Sequence, residues 1–261
     1  MSSVIFLGTG ASPGVPSLSY GFGDCDPENP KNIRSRTSTL YNINGTQIMI
    51  DTSPDFRSQC LECSVRTIDG VCYTHAHSDH LHGIDDLREI NRIMCKPVDI
   101  YACMPTMKEI KKRFGYLFVK KLPKLFYCTR AGITPHTVKP NRPFFINGVK
   151  VVALKLLGHN MESYGYIIND EIVHLADFKV LSDSAIEQIK AIKPKLMVIP
   201  LTVIEPHQRH VGLSEALDYV KMFQPEHVFF NHMACECDYE YVNNHTPDFV
   251  EPAYDGLKME W

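Results

Sequence analysis

Short apolar runs separated by turn residues dominate the first part of the chain. The step Asn44-Gly45 divides two such runs, 39–43 and 47–51. Asn-Gly between apolar runs is typical of a β-hairpin. The run at 4–7 predicts a strand before this hairpin, and the run at 71–74 predicts a buried strand after it.

The second part of the chain alternates strand patterns with helix patterns, and we assign no element to residues 115–148. Apolar spacing predicts strands at 98–102, 149–157, 164–168, 172–176, 196–200 and 227–230. Helices are predicted over 84–93, 106–114, 182–192 and 214–223, the last with Ser214 as its N-cap. Strands paired by hairpins come first along the chain, and alternating strands and helices follow. This order predicts an α/β (α+β) fold, with mixed sheets covered by helices.

The composition is that of an ordinary globular protein. Of 261 residues, 44% are hydrophobic and 22% are charged, which argues against disorder and fibrous repeats. We expect a single domain over residues 1–261. Twenty-seven basic and 30 acidic residues give a net charge of -3, which argues against a dedicated nucleic-acid binder.

The chain shows the features of a cytoplasmic protein. Its apolar runs are too short to span a bilayer, so we expect no membrane partner. The first ten residues, MSSVIFLGTG, lack the basic and long apolar regions of a signal peptide. The nine cysteines are an odd number without a paired pattern, which predicts free thiols in a reducing compartment.

Four of the 12 histidines fall between residues 75 and 82, directly after a predicted strand. Imidazole nitrogen and carboxylate oxygen both bind zinc-like ions. Residues two apart on an extended chain point the same way, so His75 and His77 can bind one metal. The chain then turns into a predicted helix, where Asp79 and His80 can serve a second. A solvated histidine-rich loop is the alternative, but the pattern His-x-His-x-Asp-His favours a metal site.

Three further ligand types follow the ends of short apolar strands. His159 follows the strand at 149–157, Asp177 follows 172–176, and His232 follows 227–230. Each alone is as readily an ordinary loop residue. Together with the histidine cluster they predict a site for a pair of metal ions.

These motifs resemble those of the metallo-β-lactamase superfamily. The histidine cluster matches its signature, and His159, Asp177 and His232 match its later ligand motifs in the same order. Asp51 matches an earlier aspartate that ends a hairpin strand and is largely structural. Within the superfamily the chain resembles the PhnP-like group, through its Gly-Thr-Gly-x-Ser-x-Gly-Val-Pro opening, a Ser-Tyr-Gly-Tyr segment and the terminal Asp-Gly.

The resemblance implies a four-layer αββα sandwich and a hydrolase with two divalent metal ions. Zinc or manganese would suit these ligands, and so would iron. The implied ligands are His75, His77 and His159 for one ion, Asp79, His80 and His232 for the other, and Asp177 bridging both. The resemblance also implies a homodimer.

The resemblance also implies catalytic and substrate-binding residues. It places a catalytic histidine before a late helix, where His210 stands, with His207 as the competitor, and it gives Asp79 a catalytic role besides metal binding. Tyr164 and Tyr166 are predicted to shape the substrate pocket, although strand alternation explains them equally well.

A second metal site of the group is incomplete in this chain. The group's enzyme of phosphonate breakdown carries a structural zinc on a Cys-x-Cys-x-x-Cys cluster and a later histidine. Only Cys25 remains of that cluster, and Cys235 stands where the histidine would be. We expect the site to be lost; a reduced site formed by Cys25, Cys235 and Cys237 is the alternative.

Together these features indicate a metal-dependent hydrolase, with a phosphodiesterase as the leading hypothesis. Two divalent ions can lower the pKa of a shared water toward about 7, which provides hydroxide as the nucleophile. Their charge exceeds that of the carboxylates, which favours a small cyclic or nucleotide-like phosphodiester as the anionic substrate. A thioester or lactone hydrolase of the same fold and an RNA-processing nuclease are the alternatives.

Overall fold

A first β-sheet combines antiparallel and parallel pairing. The computed structural model describes residues 2–118 and 132–261. Within them the strands of the first sheet are β1 (Ser3–Gly8), β2 (Ser38–Ile43), β3 (Thr46–Ile50), β4 (Gly70–Tyr73), β5 (Val98–Cys103), β6 (Ile133–Val138) and β15 (Lys258–Glu260). Their order is β15-β1-β2-β3-β4-β5-β6, and pairing is antiparallel from β15 to β3 and parallel from β3 to β6.

A second sheet holds the remaining described strands. They are β7 (Pro143–Ile146), β8 (Val149–Leu157), β9 (Ser163–Ile168), β10 (Ile172–His174), β11 (Val180–Leu181), β12 (Leu196–Pro200), β13 (His227–Asn231) and β14 (Val250–Pro252). The order is β11-β8-β9-β10-β12-β13-β14, and β7 pairs with β8 outside this path. Pairing is antiparallel from β11 to β10 and parallel from β10 to β14.

Helices cover the outer faces of the two sheets. They are α1 (Phe56–Glu62), α2 (Ser78–Leu81), α3 (Leu87–Met94), α4 (Met104–Arg113), α5 (Asp183–Ile192), α6 (Leu213–Phe223) and α7 (Tyr239–Asn244). Short 3-10 turns occur at Pro30–Asn32, Ile84–Asp86 and Gly115–Leu117.

Three apolar cores separate four layers. One core lies between the sheets, one between the first sheet and helices α1, α3 and α4, and one between the second sheet and helices α5 and α6. Strand β8 shows how alternation builds two of them: Val151 and Ala153 face the other sheet, while Val152 and Leu154 face the helices. The predicted αββα sandwich is therefore confirmed.

Several details differ from the sequence predictions, which did not include helices α1 and α7 or strands β11, β14 and β15. The unassigned stretch 115–148 contains β6 and β7, and its residues 119–131 lie outside the described range. Helix α6 begins at Leu213 with Gly212 as its N-cap, so the prediction of Ser214 as N-cap is wrong. The Gly212 N–H donates to the Glu215 carboxylate at 2.9 Å, which satisfies the helix start without a serine cap.

The eight cysteines in the described ranges are free, and Cys128 falls outside those ranges. No helix within residues 2–118 and 132–261 is both long and apolar enough to cross a membrane.

Candidate metal centre

Strand ends bring the predicted ligands to one edge of the sandwich. His75 and His77 follow β4, and the chain then enters α2, which carries Asp79 and His80, as predicted. His159, Asp177 and His232 follow strands β8, β10 and β13. All seven side chains meet in two adjoining groups. Carboxyl ends of parallel strands commonly form such sites.

The first group contains His75, His77, His159 and Asp177. His77 Nδ1 lies 3.0 Å from His75 Nε2 and 3.2 Å from His159 Nε2. Tetrahedral ligands about 2.0–2.1 Å from a zinc ion are themselves roughly 3.3 Å apart. The imidazole nitrogens therefore already have the separation that a tetrahedral ion requires.

The second group contains Asp79, His80 and His232. His232 Nε2 lies 3.3 Å from both Asp79 Oδ2 and His80 Nε2, and the last two atoms are 3.4 Å apart. These three atoms form a compact triangle of the same dimensions as the first group. The triangle fits one further ion of the zinc type.

Asp177 lies between the two groups. Its Oδ2 is 3.8 Å from the Nε2 atoms of His75, His159 and His80, and so faces members of both groups. The residue is only 2% exposed, and its Oδ1 has no hydrogen-bond partner among the described residues. A buried carboxylate oxygen without a donor is costly unless a cation compensates it. The donor set therefore fits a pair of divalent ions.

The charge states suit metal ligands in the first group. Burial lowers the pKa of His75, His77 and His159, the last to about 4, so the imidazoles are neutral near pH 7. Burial would raise the pKa of Asp177, but attraction to His232 and His80 of the second group outweighs it and holds that pKa low. Neutral imidazoles around an ionised carboxylate are the protonation states that metal binding needs.

Carboxylates favour positive charge in the second group. Burial would lower the pKa of His80, but Asp79 and Asp51 outweigh it and raise that pKa. Burial acts against ionisation of Asp79 too, yet the neighbouring His80 and His232 lower its pKa. The second group therefore favours a positive charge, which is either a proton on His80 or a metal ion.

Asp51 holds His80 in place. It is 2% exposed and accepts hydrogen bonds from Thr74 N at 2.8 Å and Thr74 Oγ1 at 2.7 Å. Its Oδ2 lies 2.7 Å from His80 Nδ1, which leaves His80 Nε2 for the ligand triangle. Such carboxylate–imidazole pairs fix the tautomer and orientation of metal ligands.

Two contacts support the site from its rim. The Ser12 hydroxyl donates to Asp79 Oδ2 at 2.6 Å, from the loop that follows β1. Arg113 Nη1 donates to the Ala76 carbonyl, between His75 and His77, at 2.6 Å. Ser12 belongs to the Gly-Thr-Gly-x-Ser opening, which suggested no role for its hydroxyl, and Arg113 belongs to no recognised motif, so the sequence predicted neither contact.

His210 lies at the mouth of the site. Its ring centroid is 5.3 Å from that of His159 and 6.5 Å from that of His232. Burial lowers its pKa. The competing His207 is exposed and stacks on the outer side of His210, with centroids 5.7 Å apart. His210 is thus the nearer of the two histidines to the ligand groups.

An ion pair anchors the His210 loop to the strand-end segment that carries Asp177. Lys179 Nζ lies 2.5 and 2.6 Å from the Glu215 carboxylate oxygens and 3.4 Å from the His210 carbonyl. Gly158 makes this approach possible: its φ is +83°, and a Cβ there would lie 2.5 Å from Lys179 Cβ. No sequence signal identified this pair.

The prediction that Tyr164 and Tyr166 contact substrate is corrected by their burial. Both belong to the core between the sheets, with exposed fractions of 3% and 0%. The Tyr166 hydroxyl donates to the Tyr73 carbonyl at 2.7 Å, and the Tyr164 hydroxyl donates to Glu162 at 2.8 Å. Their side of β9 faces the other sheet, so the alternation explanation is the right one.

Cys25, Cys235 and Cys237, the alternative ligands of the incomplete second site, are not found together as a ligand group among the described residues. The buried Arg34 guanidinium instead donates to Asn32 Oδ1 at 2.9 Å and to Cys25 Sγ at 3.8 Å. The Cys237 thiol donates to the Leu201 carbonyl at 3.3 Å. A buried arginine therefore ties this region together.

Sequence and structure comparisons define the family. The sequence model of the family described as beta-lactamase superfamily domain matches residues 46–233. The chain therefore belongs to this family. A crystal structure of a new diphosphatase from the PhnP family superimposes with a TM-score of 0.88 at 28% identity, over 100% of this chain and 98% of that one. The superfamily predicted from the sequence is therefore confirmed.

Two other proteins are similar to this chain. Zinc-bound PqqB from Methylobacterium extorquens has a TM-score of 0.75 at 16% identity, over 99% of this chain and 100% of that one. A protein of Porphyromonas gingivalis (strain ATCC BAA-308 / W83) named octanoyltransferase is 31% identical over 263 residues, which are 97% of this chain. The chain spans about half the length of that relative, 50%.

Proposed function

We propose that this protein is a metal-dependent phosphodiesterase that acts on a small cyclic or nucleotide-like phosphodiester. The observation that carries the proposal is the convergence of two ligand groups on Asp177, with His210 at their mouth. The similarity to a PhnP-family diphosphatase supports phosphorus–oxygen chemistry and adds diphosphates to the substrates worth testing.

The charge of the centre supports an anionic substrate. Two divalent ions outweigh the carboxylates Asp79 and Asp177 even when Asp51, behind His80, is counted with them. When bound, the ions would acidify water to give a nucleophile and would neutralise charge on the phosphate. Zinc and manganese both suit the donors.

The chain's own residues would orient the reaction. His75, His77, His80, His159 and His232 offer imidazole ligands, and Asp177 faces both groups. His210 would donate a proton to the leaving oxygen, because an alkoxide is a poor leaving group without one. The Lys179–Glu215 pair would hold the His210 backbone in position.

A comparison of wild type with His210→Ala tests this proposal. The zinc- or manganese-loaded wild type should hydrolyse a cyclic nucleotide or another alkyl phosphodiester. His210→Ala should keep its metal and lose about 100-fold or more of kcat on that substrate. An inactive wild type on every phosphodiester and diphosphate of the panel would refute the proposal, and an unchanged variant would refute the role of His210.

A second candidate function is hydrolysis of an acyl thioester or ester. The relative named octanoyltransferase favours it, because that name refers to a protein that transfers an acyl group. The same centre could polarise an acyl carbonyl, and a thiolate leaves without the help of an acid. Octanoyl thioester and lactone substrates in the same panel separate the two functions. Acyl hydrolysis without phosphodiester hydrolysis would establish this second candidate.

A further inference from the structure

The hydroxyl of Thr202 connects His210 to the ligand groups. Thr202 follows β12 by two residues and is partly buried. Its Oγ1 lies 3.1 Å from His232 Nδ1 and 3.3 Å from His210 Nδ1. In the described part of the chain, this hydroxyl has no other hydrogen-bond partner.

The two sides of the His232 ring determine where its proton lies. Its Nε2 faces Asp79 Oδ2 and His80 Nε2, at 3.3 Å each, and is therefore the atom on the ligand side. A neutral imidazole that offers Nε2 to a metal carries its proton on Nδ1. Asp177 Oδ1 lies 3.4 Å from that Nδ1 without forming a hydrogen bond to it, and its negative charge favours the same tautomer. His232 Nδ1–H therefore donates to Thr202 Oγ1.

The hydroxyl proton then has one acceptor left. Since Thr202 Oγ1 receives the His232 proton, its own proton points to the other partner, His210 Nδ1. A neutral imidazole whose Nδ1 accepts carries its single proton on Nε2. His210 Nε2 makes no hydrogen bond within the described residues, so it is free to meet a substrate atom.

We propose that Thr202 is a positioning residue that fixes the tautomer of His210 and so keeps Nε2–H as a hydrogen-bond donor to the leaving oxygen. The catalytic consequence rests on the proposed function, in which His210 is the donor. Without the hydroxyl, the neutral ring is free to place its proton on Nδ1. Nε2 would then be an acceptor and could donate nothing to the leaving group.

Thr202 and the Lys179–Glu215 pair act on different parts of His210. Lys179 contacts the His210 carbonyl and so holds the backbone. Thr202 contacts the ring nitrogen and so selects its protonated side. The stacked ring of His207 limits rotation from the solvent side.

Kinetics with two leaving groups test the proposal. Thr202→Val keeps the shape of the side chain and removes the hydroxyl. We expect its kcat on an alkyl phosphodiester to fall about 10- to 100-fold, the range seen for outer partners of metal ligands. On bis-p-nitrophenyl phosphate, whose leaving group needs little protonation, the loss should be about threefold or less. Thr202→Ser, which restores the hydroxyl, should recover most of the lost rate. All three proteins are compared at zinc saturation, because loss of the contact between Thr202 and His232 also weakens metal binding.

Nitrogen-15 NMR tests the tautomer without turnover. Zinc-loaded protein with labelled histidines, at about pH 8, should show His210 protonated on Nε2 only, with the signal assigned by its loss in His210→Gln. Thr202→Val should add the Nδ1–H form. Wild type with its proton on Nδ1, or equal losses on both diesters, would overturn the inference. A wild type inactive on both diesters would refute the phosphodiesterase, while the NMR spectrum would still decide the tautomer.

Discussion

Replacing Asp51 with asparagine isolates the support that it gives to one ligand group. Asn keeps the size of the side chain and tolerates the left-handed backbone that Asp51 adopts at φ +59°. It retains one oxygen for the Thr74 donors but places an amide NH2 in the position of an acceptor. His80 Nδ1, now 2.7 Å from a carboxylate oxygen, loses the charged partner that fixes its tautomer.

The magnitude follows from that single contact. A hydrogen bond to a charged group contributes about 1.5–3 kcal/mol. Loss of an outer partner of a metal-binding histidine typically costs about 10- to 100-fold in affinity, and that range corresponds to about 1.4–2.7 kcal/mol. The two estimates agree, so we expect the ion held by Asp79, His80 and His232 to bind about 10- to 100-fold more weakly, with little change in the other ion.

Zinc competition against a chromophoric chelator measures this effect. Asp99→Asn is the matched control, because Asp99 lies at the same 2.7 Å from His136 on a half-exposed surface away from the site. Circular dichroism checks that both variants fold. Wild-type affinity for both ions in Asp51→Asn, or an equal loss in Asp99→Asn, would refute the reasoning.

Two further predictions concern the His210 loop and the corrected tyrosine. Glu215→Gln removes the charge that binds Lys179 and should lower kcat on an alkyl phosphodiester about tenfold or more, because His210 is then misplaced, while metal content stays unchanged. Glu171→Gln, which removes the charge of the Lys195–Glu171 pair, is the control. Loss of metal in Glu215→Gln would contradict the assignment of the Lys179–Glu215 pair to the positioning of His210. Tyr166→Phe leaves the Tyr73 carbonyl without its donor and should lower the free energy of unfolding in urea by about 1–2 kcal/mol, whereas a raised KM at unchanged stability would restore Tyr166 to the substrate pocket.

The ligand groups could be anticipated because their signals are local. Alternation places His75 and His77 on one side of an extended segment, and His159, Asp177 and His232 each follow a short apolar strand. The four layers of the fold could also be predicted from the sequence, because the strand and helix periods are regular over most of the chain. Strands β6 and β7 were missed because their faces are largely exposed and carry no apolar period.

Other features depend on contacts between distant segments. Alternation shows that Tyr164 and Tyr166 share a face, but it does not show which layer that face meets. Ser12 and Thr202 are single hydroxyl residues in loops, and only the fold brings them to Asp79 and His210. The helix start at Leu213 rests on a contact from Glu215, so the nearby Ser214 was a misleading cap signal.

The measurement that tests the central claim most directly is the anomalous diffraction of a zinc-loaded crystal at the zinc absorption edge. The account predicts two peaks per chain, one among His75, His77 and His159 and one among Asp79, His80 and His232, with Asp177 between them. Absence of anomalous density among these seven side chains after full zinc loading, or a single peak elsewhere in the chain, would contradict it.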